Sequence, residues 1–271
     1  MRLLVAGSDR VDAGKTTFSA GLCRERSARG YKPRAGNDYW FDHDDYRRAV
    51  ADGRLYGKDA KRLAAASPGE VAPEEINPVH RLWLPTPGRG AGLLGRDGRQ
   101  FVCDRVWTGD DTEFVRNDTV EVPASVSESL PLADAHAVES LPAFNDLMAQ
   151  LHAPATERVI AEATARDRAV IESYADIARP HPDIVADAVA VVEPRRCRVF
   201  DGDRYLKACE VASGSAREGR LEERVDNVLE LVEPAATVEL PALSQAEQED
   251  PDAIATAYAP AYERLTTVAA Q

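Results

Sequence analysis

Residues 2–17 read RLLVAGSDRVDAGKTT, and the reading of this stretch decides the fold. Arg2 to Ala6 is a short apolar run that predicts a buried strand, Gly7 to Gly14 is a loop, and from Thr16 to Arg29 the spacing of Phe18, Leu22 and Glu25 is helical. Gly14, Lys15, Thr16 and Thr17 therefore stand where a strand gives way to a helix. That context suits a phosphate group: backbone N–H groups and the helix dipole face the anion, a lysine ammonium reaches its outer oxygens, and a threonine hydroxyl can join a magnesium shell. The expected phosphate contacts are Gly7, Asp12, Ala13, Gly14, Lys15, Thr16 and Thr17, with Lys15 the catalytic cation and Thr16 a metal ligand. The loop departs from the usual G-x4-G-K-[ST] spacing: the six residues SDRVDA separate Gly7 from Gly14, and Asp9 stands where a glycine is expected.

Outward from this stretch, YKPRAGND (31–38) reads as a second short strand or its exit, followed by the acidic aromatic run YWFDHDDY (39–46) and a helix over Asp45–Ala66. Alternation in GRDGRQFVCDRVW (95–107) and DTVEVPASV (118–126) predicts antiparallel hairpins. Residues 141–166 are helical in pattern, AVIESYADI (169–177) and DAVAVVEP (187–194) are buried strands, and CRVFDGDRYLKACEV (197–211) is a weaker strand pair. A helix over Ser215–Val228 and a closing strand in TVELPAL (237–243) complete the pattern. Alternating strands and helices predict an α/β fold of the P-loop NTPase type, a mainly parallel sheet with helices on both faces. One domain is expected over 1–245, with a small β-hairpin insertion at about 96–125, followed by a helical tail over 246–271 that frays at its end.

Composition bounds the remaining classes. With 271 residues, 44% of them hydrophobic, the chain can build a sizeable core without staples. Its four cysteines are far apart and form no metal-ligand spacing. No apolar run reaches the ~18 residues of a membrane span, and MRLLVAGSDR is too short for a secretory signal, so a cytoplasmic protein without a membrane partner is expected. The net charge of −13 disfavours nucleic acid as a partner. Only five of the 33 basic residues are lysines, and two of those, Lys15 and Lys32, fall in the most motif-like stretch. This acidic, arginine-rich, alanine- and valine-rich balance resembles that of proteins from extremely halophilic archaea.

The patterns G-S-D-x4-G-K-T (7–16), G-Y-K-P-x-x-G (30–36) and E-E-I-N-P (74–78) together resemble the dethiobiotin synthetase family of P-loop NTPases. GNDYWFD (36–42) is similar to a segment of the cobyrinic and cobyric acid synthases of the same superfamily. The resemblance implies Lys15 and Thr16 on the phosphates and metal, and Lys32 as a second catalytic cation near the γ-phosphate. It further implies Asp38 as a magnesium-linked carboxylate and Asn77 near the substrate. The family's third strand ends in V-E-G-A-G-G, whose glutamate binds magnesium. The counterpart here is Val170–Asp176 (VIESYAD), in which Glu172 fits and Ser173, Tyr174 and Ala175 replace the glycines.

Glu172 also suits the metal without any family, as a carboxylate at the carboxyl end of an apolar strand. His43, Asp42, Asp44 and Asp45 read as a solvated acidic loop, and His80, His136 and His152 have no partner visible in the sequence. The expected function is magnesium-dependent ATP binding and hydrolysis by an ATP-dependent synthetase-like enzyme, with Mg2+ and ATP as cofactors and an unidentified small-molecule acceptor. The absence of an N-K-x-D guanine signature favours ATP. The alternatives are a regulatory or assembly ATPase or GTPase of the same superfamily, and a kinase acting on a small molecule or an RNA end. A homodimer is left open.

Overall fold

A computed structural model of the chain describes residues 1–8, 14–86, 92–95, 98–212 and 223–271. In chain order its elements are β1 (Arg2–Gly7), α1 (Lys15–Arg26), β2 (Arg29–Tyr31), β3 (Arg34–Asp38), α2 (His43–Ala51), α3 (Lys58–Ala66) and α4 (Pro73–Ile76). Next come β4 (Val79–Pro85), β5 (Arg99–Trp107), β6 (Thr112–Asn117), α5 (Ala124–Ser129), β7 (His136–Val138), α6 (Leu141–Leu147) and α7 (Ala153–Ala165). The chain ends with β8 (Ala169–Glu172), β9 (Ala188–Glu193), β10 (Arg196–Asp201), α8 (Gly202–Ala212), α9 (Val225–Leu229), β11 (Ala236–Glu239), α10 (Gln245–Glu249) and α11 (Pro251–Ala269). This is an α/β fold with mixed sheets and helices on both sides. It divides into two compact units: Met1–Pro33, Arg62–Val71 and Ile160–Gln271 form the first, and Arg34–Lys61 with Ala72–Val159 form the second.

The first unit is built on a six-stranded sheet in the order β11-β10-β9-β1-β8-β2. Its four strands β9, β1, β8 and β2 are parallel, as the alternating pattern predicts. Every residue of β8 and β9 is buried, which is why these strands read as unbroken apolar runs. The sheet is not parallel throughout, because only Pro194 and Arg195 connect β9 to β10. A two-residue link can join only antiparallel neighbours, and Arg195 adopts a left-handed φ of 68° to make the turn. The expected strand pair over 197–211 is instead β10 followed by α8, whose buried Tyr205, Ala208 and Cys209 carry helical rather than alternating spacing.

Two close approaches fix the helices around β1. Tyr262 of α11 donates its hydroxyl to the carbonyl of Phe18 (2.8 Å) and packs edge-on against the Phe18 ring at 4.9 Å, so the helix expected in the tail is present and packs into the core. Gly30 of β2 lies so near α3 that a Cβ there would meet Leu63 Cγ at 2.4 Å. Ser67 locks this approach by accepting from the Gly30 N–H and donating to the Leu63 carbonyl, both at 2.9 Å.

The second unit holds a five-stranded sheet in the order β3-β4-β5-β6-β7, in which β3–β4 and β6–β7 are parallel and the two inner pairings antiparallel. An antiparallel pair does fall within 96–125, but it is β5–β6, whereas the stretch 118–126 expected to be extended forms no strand and runs into α5; the unit containing the pair begins at Arg34, where a single domain was anticipated. The sequence hides this because β2 and β3 are separated only by Lys32 and Pro33, and the chain changes sheets across those two residues.

Replacing Gly30 by alanine drives a methyl group into the Leu63 side chain, and overpacking of this kind costs roughly 1–3 kcal/mol. Urea unfolding followed by circular dichroism should show Gly30→Ala less stable by that amount. A variant as stable as the parent would mean that β2 and α3 do not meet this closely.

Candidate functional site

Because β1, β8 and β2 are neighbouring parallel strands, whatever follows their carboxyl ends is brought to one edge of the sheet. Val5 of β1 pairs with Glu172 and Tyr31 of β2 pairs with Ile171, so Glu172 on β8 has the α1 start on one side and Lys32 on the other. Glu172 is fully buried, and its Oε1 accepts from Thr16 Oγ1 at 2.8 Å and from Lys32 Nζ at 2.7 Å. Its other oxygen, Oε2, has no hydrogen-bond partner among the described residues. Burial, and second the nearby charge of Glu172, push the thiol of Cys23 in α1 well above its ordinary range, so that cysteine is an inert core group.

Gly14 precedes α1 with φ 81° and ψ 9°, the left-handed geometry that glycine adopts without strain, and its carbonyl accepts the first helical bond from Phe18 N at 2.9 Å. Lys15 donates to the carbonyl of Ala175 at 2.8 Å. Ala175 aims that carbonyl from a left-handed φ of 46°, a strained conformation for a residue with a side chain. Thr17 turns elsewhere and receives a hydrogen bond from Arg62 Nη2 at 3.4 Å. Beyond β1 on its other side, Glu193 ends β9. Burial pushes the Glu193 carboxyl up, but bonds from Arg196 (2.9 Å) and Arg198 (2.7 Å) outweigh this and hold it below its usual range.

Lys15, Thr16, Lys32 and Glu172, four residues singled out in the sequence, thus converge in one unit. Gly7, Gly14 and Thr17 lie in the same unit at the ends of β1 and α1. Asp12 and Ala13 lie outside the described residues. Asp38 belongs to the second unit, where it ends β3 and shapes a turn: its Oδ1 accepts from the N–H groups of Trp40 (2.9 Å) and Phe41 (3.1 Å). Asn77 is fully buried there, donating to the Val79 carbonyl (3.0 Å) and accepting from His80 (3.1 Å) and the guanidinium of Arg105 (3.2 Å).

Asp45 is not surface charge: it is buried, accepts from Asn37 Nδ2 at 2.6 Å and Lys58 N at 2.9 Å, and burial pushes its carboxyl up. His152 does have a partner, the equally buried Asp104 at 2.8 Å, which Arg81 also grips with two bonds of 2.6 Å. Nothing in sequence spacing links positions 81, 104 and 152. Arg62 and the Ala175 carbonyl escaped the sequence reading for similar reasons: one arginine among many carries no pattern, and a backbone carbonyl leaves no signature.

Among the described residues no group of three His, Cys, Asp or Glu side chains forms a ready-made metal cage. The oxygens at hand are the Thr16 hydroxyl and Glu172 Oε2. Such a pair suits a hard cation that draws the rest of its shell from water and phosphate, as magnesium does. The orphaned Oε2 fits that chemistry, since a buried carboxylate oxygen without a partner is costly. Comparison with family models, curated proteins and solved structures finds no match to this chain.

Breaking the Lys32–Glu172 pair by changing one partner disturbs a buried ion pair, a loss of roughly 3–5 kcal/mol. Glu172→Gln and Lys32→Met should therefore each destabilise the fold strongly. Their combination should cost less than the sum, with a coupling of about 1–3 kcal/mol. Strictly additive losses in urea unfolding would show that the two side chains are not paired.

Proposed function

We propose that the protein binds magnesium-ATP at the carboxyl edge of β1, β8 and β2 and hydrolyses it, most economically as an ATP-dependent enzyme that transfers the γ-phosphoryl group to an anionic acceptor. The observation that carries this reading is the buried Glu172 carboxylate, shared by Thr16 and Lys32 at the start of a helix that follows a glycine in left-handed geometry. Thr16 gives its hydroxyl hydrogen to Glu172, which leaves the oxygen's lone pairs for a cation. When bound there, magnesium would supply charge neutralisation on the phosphate oxygens.

The residues' own part is positional and electrostatic. Lys15 has three donors, so the ammonium that bonds Ala175 can also meet a phosphate oxygen at the α1 N-terminus. Lys32, held by Glu172, stands where a second anion would approach. In the transfer an acceptor oxygen bonds to the γ-phosphorus while the bond from that phosphorus to the β–γ bridging oxygen breaks, and ADP leaves with the electron pair. Two anions must be drawn together for this step, and Lys32 lowers that barrier. The absence of a guanine-recognition signature supports ATP over GTP, and the acceptor is expected to be a small carboxylate or carbamate.

A second reading, a regulatory ATPase of the same superfamily, is favoured by one observation. Lys15 rests on the carbonyl of a strained residue, and a nucleotide that drew the ammonium away would release that strain into the segment following β8. The two readings separate on Lys32, which a regulatory ATPase relying on Lys15 would not need.

Magnesium-ATP should raise the melting temperature of the protein, and Lys15→Ala should abolish the rise while leaving a folded protein; equal stabilisation of both proteins would remove the nucleotide assignment. Lys32→Ala should keep nucleotide affinity within a few-fold yet slow phosphate release by about a hundredfold, ~2.7 kcal/mol of barrier. Turnover retained at the parental rate would favour the regulatory reading, and lost nucleotide affinity would assign Lys32 to the ATP pocket.

A further inference from the structure

We infer that Arg62 is a third phosphate-binding cation of this site, meeting the part of a polyphosphate away from the metal; the inference rests on the nucleotide reading above. Lys15, Thr16 and Thr17 are successive residues of the first turn of α1, so their side chains leave the helix at steps of about 100° and ring its N-terminal end. Their partners are correspondingly different: the Ala175 carbonyl, the Glu172 carboxylate and the Arg62 guanidinium. Arg62 is delivered by α3, whose position is fixed by the Gly30–Leu63 approach and the Ser67 hydrogen bonds. The strand that carries Lys32 to Glu172 therefore also seats the helix that carries Arg62.

Among the described residues Arg62 is not held by a carboxylate. Most arginines described in the same unit meet a carboxylate, as Arg24 does Asp252, Arg179 does Glu223 and Arg198 does Glu193. Arg62 meets none among the described residues; its Nη2 donates to the Thr17 hydroxyl and to the Gln248 carbonyl. Through Thr17 it stands, moreover, beside the first turn of α1, the positive end of that helix. A guanidinium placed against a helix N-terminus is disfavoured by the helix dipole, and in a chain of net charge −13 acidic partners are plentiful. An anion at the α1 N-terminus reverses that sign, and a planar guanidinium fits two oxygens of one phosphate at once.

The group that Arg62 meets follows from what it does not touch. Lys32 and Thr16 share Glu172 Oε1 and so face the cation and the terminal phosphate. Among the described residues Arg62 has no hydrogen bond to Thr16 or Glu172, and it meets the turn at Thr17. It should therefore serve ADP as well as ATP, which distinguishes it from Lys32.

The test uses the full chain in high-salt buffer with magnesium, titrating ADP and ATP calorimetrically against wild type, Arg62→Gln and Arg62→Lys. Glutamine keeps a donor for the Gln248 carbonyl without the charge, and lysine keeps the charge. The expected result is that Arg62→Gln weakens both nucleotides by at least about tenfold while Arg62→Lys, which keeps the charge but not the two-point contact, weakens them distinctly less, with the nucleotide-free melting temperatures of the two variants alike. Parental affinity in Arg62→Gln, with wild type binding normally, overturns the role of Arg62 and leaves the nucleotide reading standing. Equal loss of affinity in both variants together with a matching fall in melting temperature also overturns it, since Arg62 would then be a tether to Gln248. A wild-type protein that binds neither nucleotide overturns the nucleotide reading itself.

Discussion

Glu172 is a carboxylate with no surface in water, and satisfying its hydrogen bonds is the constraint around which the first unit is organised. An isolated buried carboxylate is costly, so two donors on one oxygen, one of them an ammonium, have to be present together. Neither comes from its own strand. Thr16 requires β1 to end beside β8, and Lys32 requires β2 to end on the far side of β8, so the carboxylate is satisfied only when three parallel strands are in the correct order and register. A one-residue slip of β8 would turn Glu172 to the other face of the sheet and lose both partners. The group with the clearest chemical use is thus also the group that reports whether the sheet has assembled.

What lies around that carboxylate serves to hold its donors still. Gly30 has no side chain because α3 occupies the space, and Gly14 has none because the chain must pass through a left-handed conformation before α1 can start. On the outer side of α1, Tyr262 reaches across from α11 to the Phe18 carbonyl, and Gly21 leaves room for it: a Cβ there would lie 2.5 Å from the Tyr262 hydroxyl. The helix that presents Lys15, Thr16 and Thr17 is therefore clamped between the sheet and the last helix of the chain. Its first turn cannot drift without breaking a buried contact.

The legibility of these features in the sequence follows their physics. β1, α1, β8 and β9 could be read because each is a local pattern, an unbroken apolar run or a 3.6-residue spacing, and Lys15, Thr16 and Glu172 could be read because each stands at the end of such a pattern, whereas the role of Lys32 came through the resemblance. The antiparallel edge could have been inferred, since two residues between β9 and β10 leave no room for a crossover. The change of sheets between β2 and β3 could not: Lys32 and Pro33 are the whole of the connection, and no composition shift marks it. Asp38 and Asn77 were placed by resemblance alone, and the structure gives each a local role, Asp38 in a turn and Asn77 in the hydrogen-bond set around the buried Arg105 guanidinium. Pairings such as Asp104 with His152 join residues far apart in sequence and exist only once the second sheet has formed.

The distribution of charge completes the physical picture. A net charge of −13 repels polyanions at long range, yet three cations, Lys15, Lys32 and Arg62, belong to the unit that carries the α1 N-terminus. Long-range repulsion depends on ionic strength, because the Debye length shrinks from about 10 Å at 0.1 M salt to about 3 Å at 1 M. Contacts at hydrogen-bond distance inside a buried cluster are screened far less. In concentrated salt, therefore, the surface acidity ceases to oppose a compact anion, whereas the Lys32–Glu172 pair at 2.7 Å keeps its strength. The long-range field of the surface carboxylates and the short contacts around Glu172 thus act over different distances, and salt that weakens the first leaves the second in place.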